Sequence, residues 1–171
     1  SSKDTNLNDI EAVYNFLDTD NLHNFTIGIM DDVTNLSLDK TDTKFTKNYE
    51  ELLIFGYGSD GMVTTSKDIL TIVGDNTNKY VQGYFEYDSK KSGGVTKSHL
   101  RFSDEEILST YYVDNPNVVV CSKDTYLSKY DLLKGIKENG IFLLNTEKDI
   151  DSLEIPMEMI NIMKDKNISF Y

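Results

Sequence analysis

Two spacings of apolar residues alternate along this chain, and each marks a different kind of element. Ile10, Val13, Tyr14 and Leu17 recur at the interval of a helical stripe, with Asn8 as the expected cap. A strand-like run from Phe25 to Met30 follows. Residues Asp31 to Asn48 are mostly Asp, Thr, Ser, Lys and Asn, which predicts a long exposed connection. Beyond it, Leu52 to Phe55 reads as a short apolar strand. Met62, Val63, Ser66, Ile69, Leu70 and Val73 then trace one face of a helix ending near Gly74. Val81, Gly83, Phe85 and Tyr87 alternate with Gln82, Tyr84 and Glu86, the period of a strand. In the next strand Thr96, Ser98, Leu100 and Phe102 share one side, and Lys97, His99 and Arg101 the other. Val118 to Cys121 predicts a buried strand. Leu127, Tyr130, Leu133 and Ile136 predict a helix closed by the Asn139-Gly140 turn. Ile141 to Leu144 gives another strand, Pro156 opens a last helix with Met159, Ile160 and Met163, and Ile168 to Tyr171 is a final strand.

Strands alternating with helices predict an α/β fold, a mostly parallel open sheet with helices on both faces. The expected organisation is a short N-terminal appendage over residues 1–45 and an α/β domain over residues 46–171. The abrupt Ser1-Ser2 start fits a piece cut from something larger. No internal repeat or low-complexity tract interrupts the pattern.

Composition narrows the function classes. With 171 residues, 39% of them hydrophobic, the chain can bury one core. Cys121 is its single cysteine, so the chain alone cannot build a disulfide framework, a zinc knuckle or an iron–sulfur cluster. No signal-peptide core stands out, and no apolar run approaches the roughly 20 residues of a membrane span, so the expected compartment is the cytoplasm. A formal net charge of −12 repels polyanions and argues against nucleic acid as a partner. Against that charge, Ser89 to Ser103 contains no acidic residue but holds Lys90, Lys91, Lys97, His99 and Arg101. Such a stretch is either an ordinary solvated face or a clamp for phosphate or carboxylate.

Two glycine turns focus the second possibility. Gly56-Tyr57-Gly58-Ser59-Asp60-Gly61 joins an expected strand to an expected helix, where backbone N–H groups can meet a phosphate at the helix start. The same spacing also occurs in turns that bind nothing. Asp88-Ser89-Lys90-Lys91-Ser92-Gly93-Gly94 follows the next strand. A fold for NAD wants an acidic residue about 20 positions on, at a strand end, to hold the ribose. Asp75 has that distance but falls in a connection; Asp88 ends a strand, yet two lysines follow at once. Two ammonium groups suit an additional phosphate, which favours coenzyme A or NADP over NAD. The expected ligand contacts are the backbone around Gly56, Gly58, Ser59 and Gly61, the side chains of Lys90, Lys91 and Ser92, Arg101 by its charge, and Asn145 because it ends a strand and faces the same edge if the sheet is parallel. Other conspicuous residues read more simply. His99 is expected to be packed or surface-exposed rather than a base, Cys121 to be a buried thiol, Tyr111, Tyr112, Tyr126 and Tyr130 to serve packing or domain contacts, and Asp31-Asp32 to shape a turn rather than bind metal.

Several segments carry a resemblance. Phe25-Thr26-Ile27-Gly28-Ile29-Met30-Asp31-Asp32-Val33-Thr34, Gly58-Ser59-Asp60-Gly61, Tyr84 through Thr96, Ser98-His99-Leu100-Arg101-Phe102, Lys129-Tyr130-Asp131 and Gly140 through Asn145 are similar to the gamma-type domain of pyruvate:ferredoxin (flavodoxin) oxidoreductase. Nearly the whole chain is covered, and residues 1 to about 40 resemble the tail of the preceding domain. The resemblance implies a large cytoplasmic, dimeric enzyme that converts pyruvate and coenzyme A to acetyl-CoA and carbon dioxide. Its electrons pass through thiamine diphosphate and 4Fe-4S clusters to ferredoxin or flavodoxin. This piece is similar to the internal domain that holds coenzyme A, without catalytic residues or metal ligands of its own, and alone it is expected to be inactive. Lys97 departs from the apolar residue expected there. A stand-alone NADP-binding module and a purely structural interdomain piece are the alternatives.

Overall fold

The computed structural model describes residues 5–19, 24–29, 31–43, 48–87, 94–110 and 112–171. The chain divides into two compact units, Ser1–Lys47 and Asn48–Tyr171. In the first, helix α1 spans Leu7–Phe16. Its cap is Asn6, not the expected Asn8, because Asn6 and Asp9 form a reciprocal capping box. Asn8 instead turns its amide to the carbonyl of Thr41. The expected apolar stripe is also overturned. Asp9 and Ala12 are the buried positions, with Asp9 paired to Lys40 at 3.2 Å, while Ile10, Tyr14 and Leu17 are exposed. The strand expected over Phe25 to Met30 is reduced to one bridge between Thr26 and Ser37, and Met30 lies outside the described residues. Asp32 organises this stretch, its carboxylate accepting the N–H of Thr34 at 3.0 Å and that of Ser37 as well.

The second unit is a six-stranded sheet in the order β2-β3-β1-β4-β5-β6. Its strands are β1 (Glu50–Tyr57), β2 (Tyr80–Tyr87), β3 (Val95–Ser103), β4 (Val118–Cys121), β5 (Ile141–Leu144) and β6 (Ser169–Phe170). From β1 through β4 and β5 to β6 the pairing is parallel, and the β2–β3 hairpin adds an antiparallel flank to the other side of β1. A mostly parallel sheet was expected, and the sheet is of that kind. Pleating sends Leu53, Phe55, Val119, Cys121 and Phe142 to one face, where Leu127, Leu132, Leu133, Ile136 and Met159 cover them. Ile54, Leu100 and Phe102 face the other way, against Met62, Ile69, Leu70 and Val73 of helix α2 (Met62–Asn76). Helix α3 (Met157–Asp165) supplies Met159 to the first face, and Pro156 stands just before it as the N-cap rather than in its first turn.

One expected helix does not form. Between β4 and β5 the chain makes a 3₁₀ turn, Asp124–Tyr126, and then a series of tight turns. The N–H groups of Leu127, Lys129, Lys134 and Ile136 each bond the carbonyl three residues back. Leu127, Tyr130, Leu133 and Ile136 are spaced strictly by threes, which is the period of such turns and not the 3.6 of an α-helix. Gly135, with φ of +73° and no room for a side chain against the Asp114 carbonyl, ends the run.

Candidate functional site

The carboxyl ends of β1, β4 and β5 lie along one rim of the sheet, because Phe55, Cys121 and Leu144 are paired in register. Antiparallel pairing brings the start of β3 to the same rim, Tyr57 opposite Val95. The turn after β1 therefore meets Gly94, the residue before β3, through a hydrogen bond from the N–H of Gly58 to the carbonyl of Gly94 at 3.0 Å. Lys90, Lys91 and Ser92 lie outside the described residues.

Within the first turn the backbone groups have distinct fates. Gly58 spends its N–H on Gly94. Asp60 accepts from the N–H of Tyr57 at 2.6 Å and from that of Met62 at 2.9 Å, so a carboxylate already caps the start of α2. The N–H groups of Ser59, Gly61, Val63 and Thr64 have no partner among the described residues. Ser59 and Gly61 sit at φ of +77° and +83°, the left-handed geometry that turns the chain sharply from strand into helix. Gly56 is required sterically. A Cβ there would lie 2.7 Å from Thr96 Oγ1 and 2.8 Å from Met62 Cβ.

Asn145 follows β5 at this rim, its backbone N–H on Cys121 O at 2.8 Å and its amide on Ser122 O at 3.3 Å. At roughly 5 Å per strand it stands about 10 Å from β1. Arg101 is not brought here. It lies opposite Glu51, five residues before Gly56, and at about 3.3 Å per residue that is roughly 17 Å from the glycine turn. Its guanidinium, 2% exposed, bonds Glu51 Oε1 and Gln82 Oε1 at 2.9 Å each and Tyr112 O at 2.8 Å. The basic side of β3 is thus an interior network rather than an open clamp. Lys97 pairs with Glu86 at 3.1 Å, and His99 is buried with Nδ1 accepting the N–H of Val113 at 3.2 Å. Burial lowers the His99 pKa despite the neighbouring Glu86.

The rim also contains residues that sequence reasoning passed over. Ser122 and Lys123 continue β4 past Cys121, and the Lys123 ammonium lies 3.6 Å from the centroid of the Tyr57 ring. Their signal was position alone, directly after an apolar strand of a parallel sheet. Tyr126 directs its hydroxyl to Gly56 O at 3.5 Å, and burial pushes its pKa up to about 12. Cys121, also buried, is pushed up to about 11 and remains a thiol. A cleft of about 280 Å³ opens nearby between Asp124–Lys129 and Lys148–Glu154, with Lys148 paired to Asp124 at 2.7 Å. That volume falls short of a whole nucleotide cofactor. Among the described residues no helix is long and apolar enough to cross a membrane.

Crossovers leave β1 and β4 toward opposite faces of the sheet, which defines a doubly wound α/β domain with its crevice between those two strands. The family model described as pyruvate ferredoxin/flavodoxin oxidoreductase matches residues 51–171. The pyruvate:ferredoxin oxidoreductase of Moorella thermoacetica is 42% identical over 175 residues, covering 99% of this chain and 15% of that protein. The pyruvate-flavodoxin oxidoreductase of Klebsiella pneumoniae is 41% identical over 175 residues, with the same coverages of 99% and 15%. This chain belongs to the pyruvate ferredoxin/flavodoxin oxidoreductase family, and it spans about 15% of the length of these relatives. Among solved structures, the PORC subunit of pyruvate oxidoreductase from Thermotoga maritima is 28% identical, with a TM-score of 0.53 over 72% of this chain and 60% of that one. The 2-oxoglutarate:ferredoxin oxidoreductase of Magnetococcus marinus, solved with 2-oxoglutarate, coenzyme A and succinyl-CoA bound, has a TM-score of 0.51 over 74% of this chain and 20% of that one. At 17% identity that likeness concerns the fold alone.

Proposed function

We propose that this chain is the part of a pyruvate:ferredoxin or flavodoxin oxidoreductase that anchors coenzyme A. The full enzyme, a cytoplasmic homodimer in this reading, joins the acetyl group of pyruvate to the thiol of coenzyme A, releases carbon dioxide and passes two electrons to ferredoxin or flavodoxin. Thiamine diphosphate and iron–sulfur clusters held by its other domains supply the decarboxylation and electron-transfer chemistry. Residues 1–45 are the end of the preceding domain, and residues 46–171 are the anchoring domain.

The observation that carries the reading is the convergence of the two glycine connections at one rim, marked by the bond from Gly58 N–H to Gly94 O. Backbone N–H groups of Ser59 and Gly61, without a partner among the described residues, can meet phosphate oxygens, and Gly56 lets the turn pack tightly against Thr96 and the start of α2. In this reading Lys90, Lys91 and Ser92, which lie outside the described residues, supply further bonds to the phosphates, with Asn145 along the edge. Coenzyme A held by its phosphates presents its thiol to the acyl donor at a reduced entropic cost, so this domain positions and makes no bonds itself. The family match and the coenzyme A present in the Magnetococcus enzyme of the same fold support this choice of ligand.

Calorimetric titration of coenzyme A, its form lacking the 3′-phosphate, and NADP into the full-length enzyme and into this chain tests the proposal. Binding of coenzyme A to the full enzyme, weakened when the 3′-phosphate is removed, is the expected result. Preference for NADP would make the chain a dinucleotide module. Absence of binding by the full enzyme would leave an interdomain packing role.

A further inference from the structure

The crevice between β1 and β4 has a second wall that the glycine turn does not supply. The N–H of Ser122 donates to Phe55 O at 2.9 Å, which continues the parallel register and sets Ser122 beside Gly56. Val120 and Ile54 both pack in the cluster under α2, so alternation sends the Ser122 side chain to that same side, beneath the first turn of the helix. Ser122 is 9% exposed, and its Oγ is buried without a hydrogen-bond partner among the described residues. A buried hydroxyl in that condition is uncommon and calls for an explanation. Thr96 Oγ1 from β3 and Met62 Cβ from α2 close in on the neighbouring Gly56, leaving no room for a Cβ there. Across the rim, on the face opposite Ser122, Lys123 rests its ammonium on the Tyr57 ring and pairs with no carboxylate among the described residues, whereas Lys148 and Lys97 nearby in the fold both do.

Charge gives Lys123 a task. Asp60 already holds one negative charge at the start of α2, so a ligand anion arriving at the open N–H groups of Ser59 and Gly61 meets repulsion as well as the helix dipole. A cation on the facing wall offsets that repulsion.

We infer that Ser122 and Lys123 form the second wall of a phosphate subsite in the β1–β4 crevice, taking a phosphate or pyrophosphate group of a nucleotide-type ligand. Lys123 leaves the Tyr57 ring for the phosphate oxygens, and Ser122 donates its otherwise unused hydroxyl hydrogen to them. This rests on the phosphate reading of the glycine turn and names the side chains that complete it.

The test uses the full-length enzyme and its Lys123→Gln, Lys123→Arg and Ser122→Ala variants, titrated with coenzyme A, NADP and inorganic pyrophosphate. In the unaltered enzyme, pyrophosphate competes with coenzyme A. Lys123→Gln weakens both by about tenfold, as expected for a lost charge-assisted bond, and Lys123→Arg restores most of the affinity. Ser122→Ala weakens binding by about threefold and leaves the melting temperature unchanged, because its hydroxyl has no internal bond to lose. Were the unaltered enzyme to bind coenzyme A while Lys123→Gln and Ser122→Ala bound it equally well, the subsite would be refuted and the anchoring role would stand. An enzyme that binds none of the three ligands refutes both, and one that binds pyrophosphate and NADP but not coenzyme A keeps the subsite and loses only the choice of cofactor.

Discussion

Arg101 shows how far a residue's surroundings decide its role. On β3 it looks like one of a row of cations, yet it is enclosed and bonded to Glu51, which also draws Lys137 to 3.3 Å. Removing one member of a buried pair strands the other, so Arg101→Met is expected to lower unfolding stability by about 3 kcal/mol in denaturant titration. Coenzyme A affinity of the folded variant should stay unchanged. His99 gives a pH dependence of definite sign. Burial lowers its folded pKa, against the pull of Glu86 and with smaller contributions from Lys97 and Arg101. The neutral ring is therefore the stabilised form. Its contribution is complete above about pH 6.5, the unfolded value, and is lost as pH falls through the lower folded pKa. Protonation also sets Nδ1–H against the Val113 N–H. Thermal melts from pH 7.5 down to 5 should show a fall that His99→Gln reduces. Cys121, buried with its pKa near 11, should resist iodoacetamide in the native protein and react on unfolding.

Among the elements, glycines mark the places where the chain has no alternative. Gly56→Ala drives a methyl into Thr96 and the first residue of α2, and is expected to cost about 1–3 kcal/mol in equilibrium unfolding. Gly135→Ala should cost at least about 2 kcal/mol, since its left-handed φ and the Asp114 carbonyl 2.0 Å from the added Cβ both oppose it. β1, β3, β4, β5 and α2 were legible because each packs one side into the core with a clean period, as in Val118 to Cys121 or the Met62–Val73 stripe, whereas β2, with none of its residues buried, was legible from its alternation alone. The β4–β5 crossover was misread because an apolar or aromatic residue at every third position, Leu127, Tyr130, Leu133 and Ile136, resembles a helix until the interval is taken as three throughout. In α1 the error came from the cap, since Asn6 and Asp9 compete with Asn8 and the side chains of Asp9 and Lys40 reverse the expected inward face. For the site, the glycine turn and Asn145 could be placed on one rim from the order of strands alone. Arg101 could not, because its distance from the rim depends on the antiparallel register of β3, which no local spacing reveals.

At the scale of the whole molecule, the expected ligand determines how the chain should respond to binding. A ligand that engages the turn after β1 and the connection into β3 binds the folded sheet where Gly58 meets Gly94 and has no such pair of segments to hold in the unfolded chain. Coenzyme A at saturating concentration should therefore raise the melting temperature of the full enzyme, with a shift that grows with concentration as mass action requires.

β1 enters this sheet before any other strand in the chain and ends between β3 and β4, neighbours whose sequences come about 40 and 60 residues later. During synthesis on the ribosome, Leu52 to Phe55 must wait uncovered until Cys121 has emerged, and only then can the middle of the sheet close. The interval before closure is when a chaperone has its opening.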